Sequence, residues 1–329
     1  MADVKRLANT TWIPVTMPGQ QPGPISGAAV DLQGRFVLCG ERNVYTSLDG
    51  LNWRDVTPPL IDQNGQANSM QDPVASINKD GIVLCTSSAE GSPFSYGISV
   101  INYNNDFNKF EEVSLTHGFG TTSITSDEQG RFISVGDTGI IAVSEKGLSA
   151  ETANEYSFSI LRDFRSAMAF FGVVYKDNVI LAVGNGGNIL GHNYSNGMFW
   201  WPANPTANHL RSVAGAGNGK FVAVGTSGVV VISENNGASW HSVESGVTST
   251  LRAVAIRESD GKIIAGGLDG CIISSVDGGK TWDLNNNGCD PNVVIDSLVV
   301  SPVTGQFLAG GYRITGNENP TAFILRSDV

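Results

Sequence analysis

Ser275-Val276-Asp277-Gly278-Gly279-Lys280-Thr281-Trp282 is the stretch on which the reading of this chain turns. Preceded by the apolar run Cys271-Ile272-Ile273-Ser274, it reads as a strand, a tight polar turn and a second strand opening on a large apolar anchor. Ser275 and Asp277 can share hydrogen bonds with nearby backbone groups. Gly278 and Gly279 allow positive φ, and Trp282 brings ring area for packing.

The pattern recurs. Ser233-Glu234-Asn235-Asn236-Gly237-Ala238-Ser239-Trp240 repeats it with Asn for Asp, and Ser47-Leu48-Asp49-Gly50-Leu51-Asn52-Trp53 repeats it one residue shorter. Asn193-Tyr194-Ser195-Asn196-Gly197-Met198-Phe199-Trp200 is a degraded fourth copy. Five of the six tryptophans (Trp12, Trp53, Trp200, Trp240, Trp282) then share one repeat position, so a recurring unit has to be laid out before any fold is chosen.

Charged residues make up 16% of the 329-residue chain, well below the usual quarter, which favours a loop-rich all-β protein with a weakly charged polar surface. A net charge of −11 argues against nucleic acid and against insertion into or adhesion to anionic membranes. Cys39, Cys85, Cys271 and Cys289 show no paired or metal-finger spacing, so buried free thiols are expected. The start of the chain lacks an apolar leader core, and no run of 18 apolar residues occurs. The expectation is a protein made in the cytoplasm without export or membrane spanning.

The repeat grammar is clearest in Leu210-Arg211-Ser212-Val213-Ala214, Lys220-Phe221-Val222-Ala223-Val224-Gly225, Val229-Val230-Val231-Ile232 and Trp240-His241-Ser242-Val243. Four short strands per unit is the make-up of a propeller blade. Equivalent second-strand positions are Phe36, Ile82, Phe132, Ile180, Phe221, Ile263 and Phe307, spaced by 46, 50, 48, 41, 42 and 44 residues. The expected blades run from Ile25 to Pro59, Ser69 to Leu115, Gly120 to Leu161, Phe164 to Pro205 with a loop inserted at Tyr175-Lys176-Asp177-Asn178, Leu210 to Val247, and Leu251 to Cys289. The box position of the second falls on Asn102 to Phe110. In the third, Val143-Ser144-Glu145-Lys146-Gly147 keeps the turn and Phe158 replaces the Trp. The last blade, from Ile295, stops at Asp328 without a fourth strand, whereas Thr10-Thr11-Trp12-Ile13-Pro14-Val15 is a fourth strand without the preceding three. The two ends therefore complete one blade, which removes open edges.

On these residues the chain resembles the Asp-box (BNR-repeat) propellers: all-β, a single seven-bladed β-propeller over residues 1–329, four antiparallel strands per blade, closed by the N-terminal strand completing the last blade. It is similar in architecture to sialidases, to the seven-bladed photosystem II assembly factors and to propeller modules of phage tails. The resemblance implies that the boxes (Ser47, Asp49, Trp53; Ser233, Asn235, Trp240; Ser275, Asp277, Trp282) are structural turns at the blade periphery. It also implies that the first strand of each blade lines the channel. The channel-mouth residues are then Ser26, Asp72, Thr122, Arg165, Arg211, Arg252 and Asp296, with Arg165, Arg211 and Arg252 side by side. Such guanidinium groups either pair with Asp296, Asp72, Asp163 or carbonyls to tie blades together, or form an anion- or partner-binding patch like that of the assembly factors.

The sialidase likeness would imply an Arg triad, a Tyr nucleophile with a Glu partner and an Asp acid. Tyr312-Arg313-Ile314-Thr315 is the nearest string to the family's early motif, Tyr175 or Tyr312 the nucleophile choices, and no motif places a Glu or Asp. His117, His192, His209 and His241 have no metal spacing, and His192 and His209 are assigned to loops. Gly184-Asn185-Gly186-Gly187-Asn188 sits at a blade turn with no helix after it, and Glu111-Glu112 alternate across a strand. No catalytic residue, metal or cofactor is assigned. The functional expectation is a non-catalytic binding or assembly module whose partners are other protein subunits, as in a bacteriophage virion or tail, with an anionic or carbohydrate ligand as the other candidate. The alternatives are a sialidase-like glycoside hydrolase and a photosystem II assembly-factor-like protein, a group that normally carries a leader.

Overall fold

Short runs of β-branched and aromatic residues punctuated by Gly, Asn and Asp form strands joined by tight turns. The structure, a computed structural model, describes residues 10–19, 22–59, 70–88, 98–102, 110–114, 120–136, 138–144, 158–163, 168–285, 290–316 and 319–328. After the lone β1 (Trp12–Pro14), the first sheet holds β2 (Ile25–Val30), β3 (Phe36–Gly40), β4 (Val44–Ser47) and β5 (Trp53–Asp55). The second holds β6 (Gln71–Ile77), β7 (Val83–Ser88), β8 (Ile98–Asn102) and β9 (Glu111–Ser114). The third holds β10 (Thr121–Ser126), β11 (Phe132–Gly136), β12 (Ile140–Ser144) and β13 (Phe158–Asp163). The fourth holds β14 (Phe170–Lys176), β15 (Val179–Gly184), β16 (Ile189–Asn193) and β17 (Met198–Trp200). The fifth holds β18 (Leu210–Ala216), β19 (Lys220–Gly225), β20 (Val230–Ser233) and β21 (His241–Val243). The sixth holds β22 (Leu251–Ile256), β23 (Ile263–Gly267), β24 (Ile272–Ser275) and β25 (Asp283–Leu284). In the last, β26 (Val293–Val300), β27 (Phe307–Arg313) and β28 (Thr321–Ser327) take β1 as their fourth strand.

First strands pack on first strands in the order β2, β6, β10, β14, β18, β22, β26 and back to β2, so the sheets stand as blades around an axis. The fold is an all-β propeller of four-stranded antiparallel blades, seven sheets among the described residues. Second strands are buried on both faces because each blade is sandwiched, as in the unbroken burial of Phe36–Gly40, Phe132–Gly136 and Ile263–Gly267. Alternation along such a strand divides it between neighbours. Val37 and Cys39 of β3 pack with Val83 and Cys85 of β7, whereas Phe36 and Leu38 pack with Leu308 and Ile324 of the terminal blade. Cys39, Cys85 and Cys271 are buried free thiols. Cys289 lies outside the described residues, as do the central residues 103–109 of the second blade's box position and residues 145–147 of the third blade's turn. Among the described residues no helix is long and apolar enough to cross a membrane.

Three expectations need correction. Tyr175-Lys176-Asp177-Asn178 is not an inserted loop. Tyr175 and Lys176 finish β14, and Asp177 (φ 51°) and Asn178 (φ 63°) make a two-residue hairpin turn of the type that left-handed Asn and Asp favour. The first strand of the fourth blade therefore begins at Phe170, not near Phe164. His192 is not in a loop either: it lies buried in β16, its ring stacked on Phe199 with centroids 4.1 Å apart. Trp200 does not occupy the repeat position. Met198 lies opposite Asn193 as Trp53 lies opposite Ser47, and Trp200 falls two residues later, opposite Gly191.

Candidate binding site at the channel mouth

Every first strand slips register early in its length. The slips, each of one residue, fall between Ile25 and Gly27, Thr121 and Ser123, Phe170 and Gly172, Leu210 and Ser212, Leu251 and Ala253, Ile295 and Ser297, and Gln71 and Val74. A bulge leaves one residue out of the ladder and re-aims its side chain. The residues released are Ser26, Asp72, Thr122, Phe171, Arg211, Arg252 and Asp296, and with Val74 and Thr121 they line a mouth cavity of about 230 Å³. Below it, the small or β-branched residues of the same strands line a continuation of about 220 Å³.

Charge is distributed unevenly around this ring. The Arg211 guanidinium lies 4.6 Å from the centre of the Phe171 ring, a cation–π contact, and has no carboxylate partner among the described residues. Burial, and then the charge of neighbouring Arg252, hold its pKa below the usual arginine value. Arg252 pairs through Nε with Oδ1 of Asp296 at 2.5 Å. The Asp296 side chain is only 7% exposed, and that same Oδ1 accepts no aligned hydrogen bond. Burial pushes the Asp296 carboxyl up to about 6, with Arg252 opposing the shift and Asp72 adding to it. Asp72 is exposed and holds a positive φ of 41°, unusual for a residue with a side chain. Hydroxyls join adjacent blades: Ser26 donates to the Pro73 carbonyl at 2.9 Å and Thr122 to the Phe170 carbonyl at 2.6 Å. The mouth is thus acidic at the last and second blades, basic at the fifth and sixth, and aromatic at the fourth.

Arg211 and Arg252 occupy the expected ring positions. Arg165 lies outside the described residues, and the fourth blade's place in the ring belongs to Phe171. The pattern that finds Phe171 is present in the chain: an anchor, the ring residue, a small residue and an apolar one. It runs through Ile25-Ser26-Gly27-Ala28, Phe170-Phe171-Gly172-Val173, Leu210-Arg211-Ser212-Val213 and Ile295-Asp296-Ser297-Leu298. Arg252 ties blades together, whereas Arg211 stays available.

The two tyrosines considered as nucleophiles are not brought together. Tyr175 sits at the far end of β14, its hydroxyl donating to Asn178, and lines a cavity at the opposite mouth. Tyr312 lies beside the mouth carboxylates, but burial, then Asp296, raise its phenol pKa, with Arg252 lowering and Asp72 raising it. That is the wrong direction for an activated phenolate. Gly184–Asn188 forms a tight turn in which Asn185 N–H donates to the Ala169 carbonyl. Among the described residues no group of three or more His, Cys, Asp or Glu side chains could hold a metal ion.

The Ser-x-Asp turns lie at the outer ends of the third strands. In the sixth blade, Ser275 Oγ donates to Asp277 Oδ1 (2.8 Å) and accepts Gly279 N–H (2.8 Å), while Asp277 accepts the Thr281 amide (3.0 Å) and hydroxyl (2.6 Å). Trp282 Nε1 closes the turn on the Gly279 carbonyl. The Ser47 and Ser233 turns use the same bonds, with Asn235 accepting the Ser239 amide at 2.9 Å. The turns also fasten neighbouring blades. Lys220 Nζ donates to the Gly278 carbonyl and Trp200 Nε1 to the Gly237 carbonyl, each across a blade boundary.

The geometry defines a β-propeller with a polar, bulge-built channel mouth. No family model matches the chain and no curated protein matches it. Solved structures do: YCF48 from Cyanidioschyzon merolae is similar with a TM-score of 0.68 at 13% identity, over 96% of this chain and 98% of that one. A structure of YCF48 bound to D1 peptide gives a TM-score of 0.70 at 13% identity, over 97% and 95%. The WD40 propeller domain of Doa1 gives 0.66 at 10% identity, over 97% of each chain. At these identities the likeness is one of fold.

Proposed function

We propose that this chain is a non-catalytic binding and assembly module that engages another protein at the bulge-built channel mouth. The observation that carries this reading is Arg211, a guanidinium stacked on Phe171, facing a polar cavity and lacking a carboxylate partner among the described residues. Arg211 is exposed in the mouth, so a partner's carboxylate or carbonyl can reach it and form a charge-assisted hydrogen bond. The YCF48 structure bound to D1 peptide supports the reading by showing that a propeller of this architecture takes a peptide. The weakly charged surface suits a subunit of a larger particle, a virion or phage tail being one such setting.

Affinity capture compared between the native chain and Arg211→Gln tests the proposal. Loss of the captured partner by tenfold or more, about 1.4 kcal/mol, is expected while circular dichroism stays unchanged. Equal capture by both forms would overturn it.

A further inference from the structure

The mouth is built for more than an anion. Four of its seven ring positions carry charge: Arg211 and Arg252 on adjacent blades, Asp296 on the blade next to Arg252, and Asp72 three blades away from Arg211. Arg252 and Asp296 satisfy one another in part, leaving Arg211 and Asp72 open to the cavity with no ion pair or hydrogen bond of their own among the described residues. A carboxylate or phosphate placed against Arg211 would share the cavity with two like charges. A lone ammonium placed against Asp72 would share it with two arginines. Either ligand alone leaves one of the two open charges unmatched.

Two further observations mark the acidic side as a binding half. The Asp296 side chain is more than nine-tenths buried, lines the cavity, and has an Oδ1 that no aligned donor satisfies. Arg252 Nε lies 2.5 Å from that oxygen without hydrogen-bond alignment, and the carboxylate keeps acceptor capacity for a further donor. Asp72 sits at a non-glycine positive φ within the bulge of β6, and strain of this kind gathers where a side chain must be aimed. The cavity of about 230 Å³ has room for one small bipolar group.

We propose that the channel mouth takes a bipolar group, its anionic end against Arg211 and Phe171 and its cationic, hydrogen-bond-donating end against Asp72 and Asp296. This deepens the protein-binding reading and rests on it: the group is an adjacent acidic and basic side-chain pair on a partner segment. A free small zwitterion has the same chemistry.

Titration of the full-length protein, by calorimetry or by chemical shift, with four probes tests this. The probes are capped tetrapeptides Gly-Lys-Glu-Gly, Gly-Glu-Glu-Gly and Gly-Lys-Lys-Gly, and 4-aminobutanoate. The Lys-Glu peptide or 4-aminobutanoate should bind at least tenfold more tightly than either like-charged peptide, and the tighter of the two identifies the source of the bipolar group. Arg211→Gln should abolish the preference over Lys-Lys, and Asp72→Asn, tolerated at this φ, the preference over Glu-Glu. Glu-Glu or Lys-Lys binding as tightly as the bipolar probes, or no binding by any probe up to about 10 mM, would overturn the proposal. If capture of the partner still depends on Arg211 in that event, the mouth remains a protein-binding site and only its bipolar selectivity is lost.

Discussion

Trp12 lies directly opposite Ser327, so residues from the two ends of the chain form adjacent strands of one blade. The junction is locked at its edge: Asp328 N–H donates to the Thr11 carbonyl at 2.9 Å, and Thr11 N–H donates back to the Asp328 side chain at 3.0 Å. Trp12 is 5% exposed and packs with Ile272, Ile295 and Leu325. Trp12→Ala should therefore cost about 3 kcal/mol, the low end for an aromatic truncation in a core. Leu48→Ala, on a residue 68% exposed, should stay within about 0.5 kcal/mol. Urea unfolding of the two variants checks this, and similar midpoints would speak against closure through β1.

The outer turns should depend on oxygen acceptors rather than on negative charge. Asp277→Ala leaves the Thr281 amide and hydroxyl without their acceptor and should cost about 1–2 kcal/mol. Asp277→Asn should cost less, because Asn235 already fills the equivalent place and accepts the Ser239 amide. Thermal unfolding of both variants measures the difference.

Two acidic residues should move stability in opposite directions with pH. Asp49 has a folded pKa of about 2: burial opposes the shift, but the amides of Asn52 and Leu51 and the side chains of Asn52 and Ser47 outweigh it. Its contribution is present above pH 4 and lost as pH falls toward 2, and solvent screening keeps it small. Asp296 is raised to about 6 by burial, then lowered by Arg252 and raised by Asp72. The folded state then holds a proton that the unfolded state has released, so stability falls as pH rises from about 4 to 6, by up to about 3 kcal/mol. Asp296→Asn should flatten that segment of the stability–pH curve. An unchanged slope would show that Asp296 titrates normally.

Gly237 and Gly197 separate steric clash from backbone strain. Both have positive φ, 76° and 71°, but a Cβ at Gly237 would lie 2.6 Å from Leu181 Cδ2 of the preceding blade, whereas Gly197 has open space. Gly197→Ala should cost about 1–2 kcal/mol from the left-handed backbone alone, and Gly237→Ala about 1–3 kcal/mol more. Equal costs would show that the turn does not pack on its neighbour.

Much of this architecture is legible in the chain because local chemistry repeats. Thr11-Trp12 matches Thr281-Trp282, and that likeness alone places β1 as a fourth strand. Ser275 and Asp277 announce their turn because the bonds they make are local. Reading fails where a tertiary effect decides. Asp177-Asn178 looks like an insertion until both residues are seen to hold the positive φ of a hairpin, and the six-residue error that follows substitutes Arg165 for Phe171. Trp200 keeps the repeat's composition while sliding two residues, which preserves its face of the strand and turns its Nε1 to the next blade. The burial of Asp296 has no local signature, because it comes from blades distant in sequence.

The claim that the bulge-built mouth is the engaged surface is tested most directly by site-specific photo-crosslinking. A benzophenone side chain is placed at Phe171 in the mouth, at Leu32 beside the opposite opening, or at Leu48 on an outer turn, the last two 73% and 68% exposed. A partner cross-link is expected from position 171 and none from 32 or 48. Cross-links from 32 or 48 with none from 171 would contradict it.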